Sequence, residues 1–108
     1  MSNSPAGLTP AMFNVLLALA DGDKHGYAIL KEVEISTGTL YGVIKRLLDD
    51  GLVVELTGRQ TPQHEDQRRR YYRLTADGRA VAVAEARRLE ALVAKARDKR
   101  LMQVLGGA

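Results

Sequence analysis

Ser36-Thr37-Gly38-Thr39-Leu40-Tyr41-Gly42-Val43-Ile44-Lys45-Arg46-Leu47-Leu48-Asp49-Asp50-Gly51 reads as one helix with two unlike sides. Ser36 is the best N-cap, because its hydroxyl can accept a bond from an orphaned backbone N–H. Gly51 is the residue type that closes a helix just past its last turn. Leu40, Val43, Ile44, Leu47 and Leu48 recur at helical spacing and make an apolar side. The other side carries Thr37, Gly38, Thr39, Tyr41, Gly42, Lys45 and Arg46. Small hydroxyls, a phenol and two cations in front of an apolar back suit a helix lying in a DNA major groove. Hydroxyls and N-terminal amides bond phosphates, while Lys and Arg attract charge or read guanine edges. A surface helix with a solvated polar face has the same pattern, so the neighbouring stretches must decide.

Upstream, Thr9-Pro10 starts a strongly apolar first helix, with Thr as N-cap and Pro at the first helical position. It runs to about Ala20, where Asp21-Gly22-Asp23 breaks it. His25 to Glu34 reads as a second helix, with Ile29, Leu30 and Val33 inward and Asp23 complementing its dipole. A helix–turn–helix needs about 3–4 residues of turn, and Glu34-Ile35 barely supplies them. Either the second helix ends early, near Lys31, or residues are absent from the chain.

Downstream the period changes from helical to alternating. Leu52-Val53-Val54-Glu55-Leu56 predicts a strand with Leu52, Val54 and Leu56 on one face. Thr57 to Gln67 is a polar loop, and Arg68 to Leu74 a second strand with Tyr72 and Leu74 on one face. Together they form a β-hairpin. Thr75 then N-caps a final helix, with Asp77 in its first turn. Good helix formers continue unbroken to about Val104, nearly 30 residues or about 40 Å. So small a core cannot cover such a helix. Leu89, Leu92, Val93 and Ala96 would leave a stripe facing water, which favours dimerisation.

The chain has 108 residues, enough for one small core with an appended helix. We expect a DNA-binding unit over residues 1–75 and a dimerisation helix over 76–108. A net charge of +3 mildly favours polyanionic partners. The absence of Cys removes disulfides, thiolate catalysis and Cys-ligated metals. No signal peptide or membrane-length apolar run is legible, which points to a soluble cytoplasmic protein. His25 and His64 lack metal or catalytic spacing, and no nucleophile elbow, phosphate loop or acid pair stands out. An enzyme is therefore not expected, nor is a cofactor or metal.

The order helix, helix, helix, strand, loop, strand, long helix is that of a winged helix–turn–helix, mainly α with a small β-hairpin. Lys24-His25-Gly26-Tyr27-Ala28-Ile29, Ser36 to Gly42, Lys45-Arg46-Leu47, Gly51-Leu52 and Arg70 to Thr75 with Gly78 together resemble the PadR family of transcriptional regulators. The resemblance covers roughly residues 8–102, and the single C-terminal helix is similar to the short subfamily. It implies a homodimeric repressor that binds double-stranded DNA at a palindromic operator and is released by a small aromatic effector. The family usually has more residues between its second and third helices than the passage from Glu34 to Ile35 allows.

The expected DNA contacts are Tyr27, Ser36, Thr37, Gly38, Thr39, Tyr41, Gly42, Lys45 and Arg46, with Arg59, Arg68, Arg69 and Arg70 from the wing. Tyr27 fits a phosphate contact or the core equally. Gly38 and Gly42 fit close approach either to DNA or to another helix. Arg46 can instead pair with Asp49 or Asp50. From Thr57 to Arg79, six arginines face three acids, an excess of +3 that suits a wing against a minor groove. The rival is a dimeric protein-interaction or ligand-sequestering module without functional DNA binding.

Overall fold

A computed structural model describes residues 7–56 and 70–102. In chain order it contains α1 (Pro10–Ala18), β1 (Lys24–His25), α2 (Gly26–Glu32), α3 (Thr37–Asp49), β2 (Val53–Leu56), β3 (Tyr71–Leu74) and α4 (Ala76–Asp98). The strands form one antiparallel sheet in the order β1-β3-β2. The hairpin of β2 and β3 is as expected. β1 was not legible, because two residues carry no alternation to read.

The helix starts follow their capping chemistry. Thr9 accepts a bond from the Met12 amide, Ser36 from that of Thr39 and Thr75 from that of Gly78. His25 belongs to both β1 and the α2 cap, its Nδ1 accepting from the Ala28 amide at 3.2 Å. Asp23 does not serve the α2 dipole. It forms a two-pronged pair with Arg73 of β3, at 2.9 and 3.1 Å, and so ties the α1–β1 turn to the sheet.

α2 ends at Glu32, which leaves Val33 to Ser36 as the turn into α3. The second helix thus ends early, within a residue of the Lys31 that the sequence suggested. Val33 stays buried in the core although it lies past the helix.

The core is built where α1, α2 and α3 meet the sheet. Val15, Leu16, Ile29, Leu40, Leu47 and Val53 are fully buried. Full burial of each such side chain contributes roughly 1.5–3 kcal/mol. The apolar side of α3 faces inward, with Leu40, Ile44 and Leu47 buried and Val43 and Leu48 packed at its margins.

Two expectations require correction. Leu52, Val54 and Leu56 do not share one buried face, since Leu52, Val53 and Leu56 are buried while Val54 is 42% exposed. Leu52 is not in the strand. It belongs to the turn out of α3, where its amide bonds Leu47 O and its carbonyl accepts from the Thr75 amide. Leu56 stays buried on the other face, paired with Tyr71.

α4 is also shorter than expected, 23 residues or about 34 Å. Arg100 takes a left-handed backbone, φ 63°. Its amide bonds Arg97 O and that of Leu101 bonds Ala96 O, which closes the helix as a Schellman motif. Glycine normally fills this position, so nothing in the sequence signals the stop.

Candidate nucleic-acid interface

The exposed side of α3 and its N-cap carry every residue of that stretch expected to face DNA. Ser36, Thr37, Gly38, Thr39, Tyr41, Gly42, Lys45 and Arg46 are all exposed. The polar front follows directly from the burial of Leu40, Ile44 and Leu47 behind it. At its N-terminus, Ser36 and Thr39 are coupled. The Ser36 hydroxyl donates to Thr39 Oγ1 at 2.8 Å and accepts from the Thr39 amide at 3.1 Å. Thr39 Oγ1 keeps its own hydrogen for an outside acceptor. The positive end of the helix dipole adds attraction for an anion here.

Gly38 and Gly42 pack on nothing. A Cβ on either would meet no atom within 4 Å among the described residues. Close packing on another helix of this chain is thereby removed as their explanation. Gly26 is the opposite case. A Cβ there would lie 2.7 Å from Tyr41 Oη, so the first turn of α2 seats the recognition-side phenol. No signal in the sequence pairs Gly26 with Tyr41; the fold brings them together.

Lys45 is less free than its sequence position implied. Its Nζ lies 3.3 Å from Asp49, and Arg46 Nε lies 3.4 Å from Asp50. Both pairs are largely exposed and separated by four residues. Such pairs are worth about 0.3–0.5 kcal/mol, little enough to yield to a phosphate. With two acids beside two cations, α3 alone is not strongly basic.

Tyr27 is 59% exposed, which rules out the core. Its ring stacks on His25, with centroids 6.4 Å apart, and Lys31 Nζ lies 4.9 Å from its centre. Arg70 is exposed at the start of the wing strand, with Nη1 3.8 Å from Glu55. Arg59, Arg68 and Arg69 lie outside the described residues.

Behind this surface the charges are set by packing. Burial pushes the Tyr72 phenol up, helped by the charge of Glu55 and the nearby Tyr41, against the opposing pull of Arg70. Burial disfavours the Lys24 ammonium, but hydrogen bonds to Asp21 and Glu32 outweigh it and raise its pKa. Lys24 also bonds Ala18 O, so one side chain joins the ends of α1 and α2. The Asp23 carboxylate hydrogen bond raises the Arg73 guanidinium.

Away from the α3 face, Leu92 (48%) and Val93 (38%) are exposed on α4, and Leu89 and Ala96 are half-buried. A small cavity of about 190 Å³ lies between α1 and α4, with Phe13, Leu89 and Arg88 on its wall. Arg88 forms a two-pronged pair with the buried Glu85, at 2.6 and 2.8 Å. No described helix is long and apolar enough to cross a membrane, and no three metal-ligating side chains gather among the described residues.

Three helices, a three-stranded antiparallel sheet and a long C-terminal helix, with α3 presenting a polar face, define a winged helix–turn–helix protein. A model of the Transcriptional regulator PadR-like family matches residues 15–84, and the chain belongs to that family. This is a family of regulators rather than enzymes. Transcriptional regulator Rv3488 of Mycobacterium tuberculosis is 33% identical over 99 residues, 87% of this chain and 81% of that protein. A 37.1 kDa protein of transposon TN4556 in Streptomyces fradiae is 39% identical over 82 residues, 70% of this chain. The chain spans only 22% of that transposon protein. BpsR of Bordetella bronchiseptica, whose DNA binding is regulated by 6-hydroxynicotinic acid, superimposes with a TM-score of 0.72. It is 32% identical, and the match covers 83% of this chain and 61% of the BpsR chain.

Proposed function

We propose that the chain is a homodimeric, sequence-specific DNA-binding repressor of the cytoplasm. The observation that carries this reading is the exposure of Thr37, Thr39, Tyr41 and Lys45 on α3, backed by a buried apolar side. Residues 1–75 form the DNA-binding unit, and residues 76–108 pair two copies through Leu89, Leu92, Val93 and Ala96. Each α3 enters a major groove. Gly38 and Gly42 allow close approach there, Thr37, Thr39 and Tyr41 fix the register on phosphates, and Ser36 contributes by capping the helix and orienting Thr39. Lys45 and Arg46 supply charge at the far end of the helix. Tyr27 and the wing arginines Arg59, Arg68, Arg69 and Arg70 contact the flanking backbone and minor groove.

Two-fold pairing calls for a palindromic operator with half-sites about 34–36 Å apart or a multiple of it. A small aromatic acid, of the class that regulates BpsR, is the proposed effector. The α1–α4 cavity is lined by the Phe13 ring and by the Arg88–Glu85 pair, which an acid ligand would have to open to reach the guanidinium. Such a ligand shifts the protein only by binding one dimer geometry better than another.

A salt titration against duplex DNA tests the reading. Affinity is expected to fall steeply with salt, and Lys45→Ala to weaken binding and flatten the log–log slope by about one unit. Unchanged affinity and slope in both Lys45→Ala and Tyr41→Phe would remove α3 as the reading face. A salt-insensitive or absent interaction would instead favour the interaction module.

A further inference from the structure

We propose that Thr75 is a positioning residue that locks the dimerisation helix to the end of the recognition helix. The proposal rests on the roles assigned above to α3 and α4. A single hydroxyl stands between the two helices. Thr75 Oγ1 donates to Gly51 O at 2.8 Å, just past the end of α3. The same oxygen accepts from the Gly78 amide at 2.9 Å, in the first turn of α4. A hydroxyl has the donor and acceptor capacity to do both at once.

The backbone reinforces this joint. The Thr75 amide bonds Leu52 O at 3.1 Å, and Gly51 turns the chain with φ 74°. Gly78 then approaches the same carbonyl so closely that a Cβ on it would lie 2.0 Å from Leu52 O. A backbone carbonyl cannot swing aside as a side-chain tip can. The first turn of α4 is thus held at a fixed distance and angle from the last turn of α3. On the opposite side Arg79 bonds Ala20 O at 2.9 Å, which fixes the same turn against the end of α1.

The consequence concerns DNA spacing. Two recognition helices engage successive grooves only if each is held at a set angle to the dimer axis, which α4 carries. Thr75 transmits that angle. Its side chain touches no DNA in this arrangement; it acts through α3.

The absence of Cys allows the joint to be tested directly. Spin labels on Thr37→Cys, at the far end of α3, and Glu90→Cys, on α4, report the intrachain distance by double electron–electron resonance. A large excess of unlabelled protein removes signals between chains. The parent is expected to give a narrow distribution and Thr75→Ser to keep it. Thr75→Val is expected to widen it, and Gly78→Ala to shift its mean. Thr9→Val, which removes the equivalent cap bond of α1, serves as the control for general destabilisation and leaves the width unchanged.

On DNA, duplexes enriched from a random pool by the wild type serve as probes. Thr75→Val is expected to lose affinity for the two-half-site duplex and keep it for a single half-site. Equal width in parent and Thr75→Val, equal widening by Thr9→Val, an unmoved mean in Gly78→Ala or equal loss on both duplexes would overturn the proposal. If the distances behave as expected while wild type enriches no duplex, the joint stands and the DNA-binding reading falls.

Discussion

Individual residues on the α3 surface divide between building the surface and meeting a ligand. Ser36 spends its hydroxyl on the cap, whereas Thr37 and Lys45 are held by little and remain available. Tyr41 does both, since its ring is exposed while its hydroxyl rests against Gly26. Gly26→Ala is expected to destabilise the protein by no more than about 1 kcal/mol, because the added methyl need only displace the tip of the exposed Tyr41 phenol. Adding Tyr41→Phe removes the closest atom and is expected to restore part of that loss, as a double-mutant cycle in urea denaturation would show. Equal destabilisation with and without the hydroxyl would mean that the contact does not set the spacing of α2 and α3. The sequence made Ser36, Thr9 and Thr75 legible as caps because capping is local chemistry. The partners of Gly26, Asp23 and Gly78 were not legible, because each is supplied by a residue brought in by the fold.

Among elements, those with long periodicity were readable and those fixed by a single contact were not. α3 was placed to within a residue, since five apolar positions and two caps agree. β2 was placed in sequence, but the pattern of Leu52, Val54 and Leu56 hid the fact that Leu52 belongs to the preceding turn and that Val53 rather than Val54 is buried. β1 exists only because Lys24 and His25 pair with Tyr72 and Tyr71. The end of α4 depends on a left-handed arginine, which costs roughly 1–2 kcal/mol relative to a relaxed backbone. Arg100→Gly relieves that strain at some entropic cost. It is expected to add about 0.5–1 kcal/mol of amide-exchange protection at Lys99 and Leu101. Unchanged or faster exchange there would show that the turn is not the stop.

The molecule as a whole carries a half-covered long helix and a small core, a combination that a second copy would complete. Leu92 and Val93 expose apolar surface beyond the reach of α1. Leu92→Glu with Val93→Glu is expected to yield a monomer by sedimentation while preserving helicity, since neither side chain is part of the buried core. A dimer surviving both changes would place the interface elsewhere.

The central claim is that two copies present their α3 faces to successive turns of one duplex. Hydroxyl-radical footprinting on a duplex enriched by the wild type tests it most directly. Two protected patches related by two-fold symmetry, centred about 10–10.5 base pairs apart or a multiple of that, are expected. Both should fade in Lys45→Ala. A single unpaired patch, or protection spread evenly along the duplex, would contradict the claim.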